Sequence, residues 1–146
     1  MIDVRVKKLK PHAIIPTYAN SSAAGIDAYS AEDYVILPGK RMLVSTGIAF
    51  ALPEGYEMQV RPRSGLALKN GISIVNTPGT LDSDYRGELS IILINHGDAD
   101  FVVSRGMRVA QLVVHKFEQV KFTEDHNLDS EQTKRGAGGF GSTGLH

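Results

Sequence analysis

The sequence predicts an all-β sandwich or barrel. Apolar residues along its 146 positions mostly alternate or fall in short runs, the pattern of half-buried strands. Glycine and proline interrupt those runs often, as turns between short strands do. No repeat with a period of about 20–50 residues is visible, which argues against a propeller or solenoid.

Each element follows from that pattern. Val4, Val6 and Leu9 open a first strand, and Asp27 sits in a small-residue strand within the stretch Ser22 to Ser30. Tyr34 to Leu37 is a third, ended by the turn pair Pro38-Gly39. Arg41 to Leu52 reads as a longer strand bent at Gly47. Pro53-Glu54-Gly55 turns the chain into Tyr56 to Val60. Gly71 to Val75, Leu89 to Asn95, Phe101 to Val103 and Met107 to Phe117 complete the strands. One short helix is expected over Ser64 to Gly71. Ser64 is a good N-cap and Asn70-Gly71 a common stop. A helix of one or two turns owes its existence to packing rather than to propensity.

Composition excludes several classes. The length indicates one domain, large enough for a real core. There is no cysteine, hence no disulfide framework, thiolate metal site or thiol nucleophile. Lys plus Arg and Asp plus Glu are both 16, for a net charge of zero. A duplex-binding protein usually carries a basic excess, so no direct nucleic-acid contact is expected. No stretch approaches the roughly 18 apolar residues of a membrane span. The alternating N-terminus, Met1 to Val6, is not the apolar block of a signal peptide. The five histidines form no spaced ligand pair, and no Gly-x-Ser-x-Gly elbow supports an acyl-transfer triad.

Three polar clusters stand out. Gly79-Thr80-Leu81-Asp82-Ser83-Asp84-Tyr85-Arg86-Gly87-Glu88 sets two carboxylates, a tyrosine and an arginine on a connection just before a buried strand. Polar groups held at a loop mouth by a rigid strand are where binding and chemistry usually lie, although the same residues suit a plain hairpin tip. Arg61-Pro62-Arg63-Ser64-Gly65 places two arginines before a helix start, where unpaired N–H groups favour an anion; solvated arginines are the plain alternative. Asp27 has apolar neighbours and needs a partner, because an unpaired buried charge is costly. An arginine or a hydrated cation would serve.

The C-terminal stretch differs in character. After Val120 the chain is polar, and then reads Arg135-Gly136-Ala137-Gly138-Gly139-Phe140-Gly141-Ser142-Thr143-Gly144. Ordering so many glycines costs backbone entropy, so a mobile arm that orders on contact is expected. The GxGxxG and near-Walker patterns here are accidental, since both need a strand before and a helix after. Glycine backbone can still present N–H groups to an anion, with Arg135, Ser142 and Thr143 as further donors.

Taken in order, these clusters resemble the five motifs of the trimeric dUTP pyrophosphatase (dUTPase) family. The first is Ala24 to Ser30 and the second Arg61 to Leu66. The third joins Asn76 to Gly79 through Gly87. The fourth is Gly106 to Leu112 and the fifth Arg135 through Gly144. Any one is weak, but five in order are specific. Met107 departs from the family's frequent acidic residue beside the arginine.

The resemblance implies a jelly-roll-like β-barrel over 1–122 and a mobile C-terminal arm over 123–146. It implies a homotrimer with shared active sites, each closed by the arm of another subunit. The reaction implied is hydrolysis of dUTP to dUMP and pyrophosphate with Mg2+, limiting uracil in DNA and supplying dUMP for dTMP synthesis. Asp82 is then the general base activating a water against the α-phosphorus. Arg63, Ser64, Gly65 and Gln111 hold phosphates, and Asp27 acts on the metal indirectly, through water. Tyr85 floors the deoxyribose. Asn76 and Gly79 belong to a hairpin over 71–82 that reads uracil. Arg135, Gly141, Ser142 and Thr143 clamp the γ-phosphate, while Phe140 stacks over the base. A cytoplasmic location is implied, or a nuclear or organellar one in a eukaryote. A dCTP deaminase on the same fold and a non-catalytic regulatory subunit are the alternatives. The tight Asp82-Ser83-Asp84-Tyr85 pattern and the aromatic in the arm disfavour the first, and retention of the whole set of catalytic positions disfavours the second.

Overall fold

A computed structural model of the chain describes residues 2–128 and 133–142. Among the described residues ten strands and one helix form. They are β1 (Arg5–Lys8), β2 (Ile26–Tyr29), β3 (Tyr34–Ile36), β4 (Arg41–Ala51), β5 (Tyr56–Arg61), α1 (Ser64–Asn70), β6 (Ile72–Ile74), β7 (Gly79–Leu81), β8 (Glu88–Asn95), β9 (Phe101–Val103) and β10 (Arg108–Lys116). The expected all-β jelly-roll class is what folds. The strands do not close into one continuous barrel. They divide into two four-stranded sheets, ordered β1-β4-β8-β6 and β2-β10-β5-β7, and a ribbon of β3 and β9. Every pairing is antiparallel.

One hydrophobic cluster joins all three sheets. Val44, Ile91 and Leu93 come from the first, Met58, Val60 and Leu112 from the second, and Ile36, Phe101 and Val103 from the ribbon. In β8 alternate residues from Leu89 to Asn95 are buried, the period of two that one inward face demands. Each large aliphatic side chain taken fully from water contributes roughly 1.5–3 kcal/mol.

The bend expected in β4 is real. Ser45 pairs with Ser90 but Ala49 pairs with Glu88, so residues 46–48 face a single residue of β8. Gly47 takes a left-handed φ of 68°, which glycine adopts without penalty. A Cβ there would lie 2.9 Å from the Ala13 Cβ.

Two expectations need correcting. Ser64 does not cap the helix. Arg63 is the N-cap, in extended backbone, with no side-chain hydrogen bond to the first turn. The change to helical backbone comes after Arg63 (φ −89°, ψ 126°), so the helix begins one residue earlier than the serine signal suggests. At the other end Gly71 adopts φ 68° and donates its N–H to Ala67, as expected of a stop. The segment 71–82 is also not a paired hairpin. Its strands β6 and β7 hang from different sheets, β6 on β8 and β7 on β5. The turn between them, through a cis Thr77–Pro78 peptide, is a corner joining the sheets.

Asn95 ties the ribbon to the first sheet. Its side chain is buried, and Nδ2 donates to the Ile36 and Ala99 carbonyls at 2.8 Å each. Its Oδ1 accepts the Gly97 N–H at 2.8 Å. Asn95→Ala strands all three backbone groups and is expected to cost about 2–4 kcal/mol. Urea unfolding measures this, and an unmoved midpoint would deny Asn95 the role.

Candidate active site

β10 organises one half of the site. It lies between β2 and β5, so Gln111 stands opposite Asp27 on one side and Arg61 on the other. Gln111 is one of the exposed positions of a strand whose neighbours Ala110 and Leu112 are core residues. A Cβ at Gly25 would come 3.2 Å from Gln111 Oε1, so the glycine leaves that amide its place.

Asp27 has found the arginine partner its sequence context demands. Its side chain is 15% exposed. Arg63 Nε lies 3.1 Å from Oδ1, and Arg108 Nη1 lies 3.5 Å from Oδ2. Arg63 also donates from Nη1 to the Arg108 carbonyl at 3.1 Å. The Arg63 contact satisfies the ion pair by distance but not the direction of a hydrogen bond, leaving buried Oδ1 without a donor. The carboxylate has two cationic neighbours, yet that oxygen keeps a lone pair without a donor. The carboxylate fixes Arg63 at the lip of a groove of about 280 Å³ lined by Arg63, Ser64, Gly65, Lys69, Asn70 and Gln111. Two cations and an exposed amide make it a surface for an anion.

The other half gathers around the 82–87 loop. Asn76, Gly79, Thr80, Asp82 and Tyr85 line a pocket of about 410 Å³, with Val60, Ile74 and Leu81 as its apolar lining. Gly79 is placed there by β7, which pairs with β5 through Val60. Asp82 follows directly and is exposed. The loop is held by its own backbone. Tyr85 donates its N–H to the Asp82 carbonyl at 3.2 Å, and Arg86 Nη1 donates to the Ser83 and Tyr85 carbonyls at 2.6 and 2.8 Å. The Tyr85 ring lies across Gly87, where a Cβ would be 2.3 Å from the hydroxyl. Only glycine permits that approach. The largest cavity, about 830 Å³, lies beyond Asp82 and is lined by Glu54, Asp84, Arg86 and Glu118. Its three further carboxylates make it a poor cradle for a polyanion.

The two halves are separate. No residue lines both the 280 and 410 Å³ sites. Arg135, Phe140, Gly141 and Ser142 join neither. Arg135 Nε donates to the Gly138 carbonyl at 2.7 Å within its own segment, and Phe140 is fully exposed. Thr143 lies outside the described residues. Among the described residues no three His, Asp or Glu side chains form a metal-binding group. The sequence reading missed Arg108 and Lys69 as parts of the anion face. Arg108 sits in the fourth motif and its charge was visible; its partner 81 residues away was not.

Comparison with known proteins places the chain. A family model described as dUTPase matches residues 11–144. A deoxyuridine 5'-triphosphate nucleotidohydrolase of Helicobacter hepaticus is 54% identical over 97% of this chain and 89% of its own length. One from Syntrophotalea carbinolica is 54% identical over 99% and 98%. Among solved structures, a Staphylococcus bacteriophage 80alpha dUTPase with dUPNHPP superposes with a TM-score of 0.90 at 26% identity, covering 98% of this chain and 99% of that one. A mutant dUTPase from phage phi11 of S. aureus, with a structural Mg(II) ion, has a TM-score of 0.80 at 23% identity over 87% and 99%, a likeness of fold alone.

Replacing Asp27 with alanine leaves Arg63 and Arg108 facing each other without a counter-charge. The pair is partly solvated, so the expected loss is about 1–2 kcal/mol rather than the larger cost of a fully buried pair. Chemical denaturation of Asp27→Ala checks it; a variant as stable as wild type would show the pair to be structurally idle.

Proposed function

The chain belongs to the dUTPase family and hydrolyses dUTP to dUMP, and we propose that Asp82 is the general base of that reaction. The observation that carries this reading is the 410 Å³ pocket, where Asp82 shares a wall with Asn76, Gly79 and Tyr85. A nucleoside seated there presents its 5′-phosphate side to the carboxylate. Asp82 takes a proton from a water as its oxygen forms a bond to the α-phosphorus. The bond from that phosphorus to the bridging oxygen breaks, and pyrophosphate leaves. A base so placed is worth roughly a hundred- to ten-thousandfold in rate.

Selection of the substrate follows from shape. The Tyr85 ring, its hydroxyl end against Gly87, floors the deoxyribose, leaving no room for a 2′-hydroxyl. Asn76 and the Gly79 backbone read the uracil edge, where a close wall rejects a 5-methyl group and cytosine offers the wrong donors. Arg63, Ser64 and Gly65 take inner phosphates and Gln111 lies by the α-phosphate, with the guanidinium aimed by Asp27.

Those phosphate groups lie in a groove apart from Asp82, and this supports a homotrimer whose active sites combine the Asp82 pocket of one subunit with the Arg63 groove of another. The arm, 123–146, then reaches a third partner. Arg135, Gly141, Ser142 and Thr143 grip the γ-phosphate and Phe140 covers the base, excluding water. The exposure of the arm's described residues, 123–128 and 133–142, is what an element with a partner elsewhere displays.

Magnesium fits this donor set only indirectly. Among the described residues no cluster of three His, Asp or Glu side chains is present to hold it, whereas Mg2+ readily keeps its waters and binds substrate phosphates. The orphaned Asp27 Oδ1 can accept a hydrogen bond from such a water. When bound, the ion neutralises and orients the phosphate chain. The cytoplasm, where nucleotide pools are kept, is the proposed location. Among the described residues no helix is long and apolar enough to cross a membrane.

Asp82→Asn is expected to retain nucleotide binding and lose at least about a hundredfold in kcat; calorimetry with a dUTP analogue and product chromatography measure the two, and near-wild-type turnover would dismiss Asp82 as base. Removal of residues 135–146 should leave the same assembly by light scattering but reduce kcat/KM by about a hundredfold or more, the scale of a misplaced catalytic geometry. Full activity of the shortened chain would refute the closing arm.

A further inference from the structure

We propose that Glu88 is a positioning residue for Tyr85 and so sets how firmly the pocket refuses a ribonucleotide. The inference rests on Tyr85 being the floor under the sugar. Glu88 is the first residue of β8, directly after the 82–87 loop. Its backbone carbonyl accepts the Tyr85 hydroxyl at 3.2 Å. That carbonyl is the fixed point against which the ring stands, because the loop around it is exposed and short.

What fixes Glu88 is the irregularity in β4. Where residues 46–48 face one residue of β8, the ladder is interrupted. The Glu88 carboxylate fills the gap. Its Oε1 accepts the Gly47 N–H at 2.7 Å and also the Ser45 hydroxyl. Ser45 is held in turn. Lys10 Nζ lies 3.0 Å from its Oγ, and the Tyr34 hydroxyl lies 3.0 Å from its backbone nitrogen. Lys10 is ion-paired with Glu32, whose carboxyl that hydrogen bond holds below the ordinary carboxylate range. A chain of polar contacts thus runs from the N-terminal segment through the β4 bulge to the Tyr85 ring.

The carboxylate is not required as a charge for this task. It must accept two hydrogen bonds from fixed directions while the main chain presents its carbonyl outward. Glutamine can do the same through its amide oxygen; alanine cannot. Without the side chain, the Gly47 N–H must find another acceptor, the start of β8 shifts, and the Tyr85 hydroxyl loses its anchor. A ring free to tilt no longer excludes a 2′-hydroxyl.

The test is steady-state hydrolysis of dUTP and of UTP, with Mg2+, by the full-length wild type, Glu88→Ala, Glu88→Gln and Ser45→Ala. Glu88→Ala is expected to lower the dUTP-to-UTP ratio of kcat/KM about tenfold, mostly through KM, the size of effect a displaced pocket wall produces. Glu88→Gln should restore the wild-type ratio, and Ser45→Ala, which removes one of the two donors, should fall between. A purely structural role would lower the unfolding midpoint of Glu88→Ala with the ratio unmoved, and would overturn the proposal. So would a glutamine variant as indiscriminate as the alanine one. Should Glu88→Ala fail to fold, an unchanged ratio in Ser45→Ala overturns it equally. Tyr85→Ala separates the two levels of argument. If it leaves the ratio intact, the sugar-floor reading falls and this proposal with it. If it shifts the ratio while Glu88→Ala does not, Glu88 alone is dismissed.

Discussion

The carboxylate of Asp27, largely withdrawn from solvent and met by Arg63 and Arg108, is the constraint on which the phosphate half of the molecule depends. Two guanidinium groups this near each other repel. An acid between them turns that repulsion into a three-element clasp of β2, the exit of β5 and the start of β10. The clasp works because β10 is central in its sheet, so residues far apart in sequence become ladder neighbours. The extended Pro62-Arg63 segment, the first turn of α1 and the Gln111 amide take their places around it.

The half around the 82–87 loop, the proposed nucleoside pocket, is built on a different principle. No ion pair holds the Tyr85 ring; charged side chains touch it only through the main chain, Arg86 at its own carbonyl and Glu88 by fixing the carbonyl that its hydroxyl meets. A missing side chain at Gly87, a carbonyl at Glu88 and a turn back to Asp82 define its position. The same loop leaves Asp82 exposed, available to a water and to a substrate at once. The two halves differ in chemistry as their tasks do: one balances charge, the other measures shape. That a single chain keeps them apart gives a physical reason for subunits to associate.

Much of this was legible in the residues. Phe101–Val103 is a strand with the bounds read from a short apolar run alone, and a glycine inside the long strand β4 marked its bend. The Asp27 carboxylate among small residues announced a cationic partner before any coordinates. Other features were not legible, for reasons of distance. β7 is three residues, Gly79–Leu81, inside a polar cluster, and exists as strand because Met58, Gln59 and Val60 offer it an edge. The Ser64 signal misled because the N-cap is the last residue with extended backbone, and that residue is Arg63. Glu88 looked like the end of a loop; its bonds to Ser45 and Gly47 span more than 40 positions. Family resemblance carried the substrate and the role of Asp82, which no local pattern of strands and turns could supply.

The parting of β6 and β7 between the two sheets has a wider effect. The corner they make carries Asn76 and Gly79, so the mouth of the pocket straddles the seam of the sandwich. A small shear of one layer over the other would widen or pinch it. On the proposed reading of the pocket, a nucleoside wedged there would be a brace across the seam. By mass action, occupancy then stiffens the whole protein as well as the loop that touches the ligand. Depletion of the nucleotide would leave the enzyme not merely idle but looser, and easier prey for a protease.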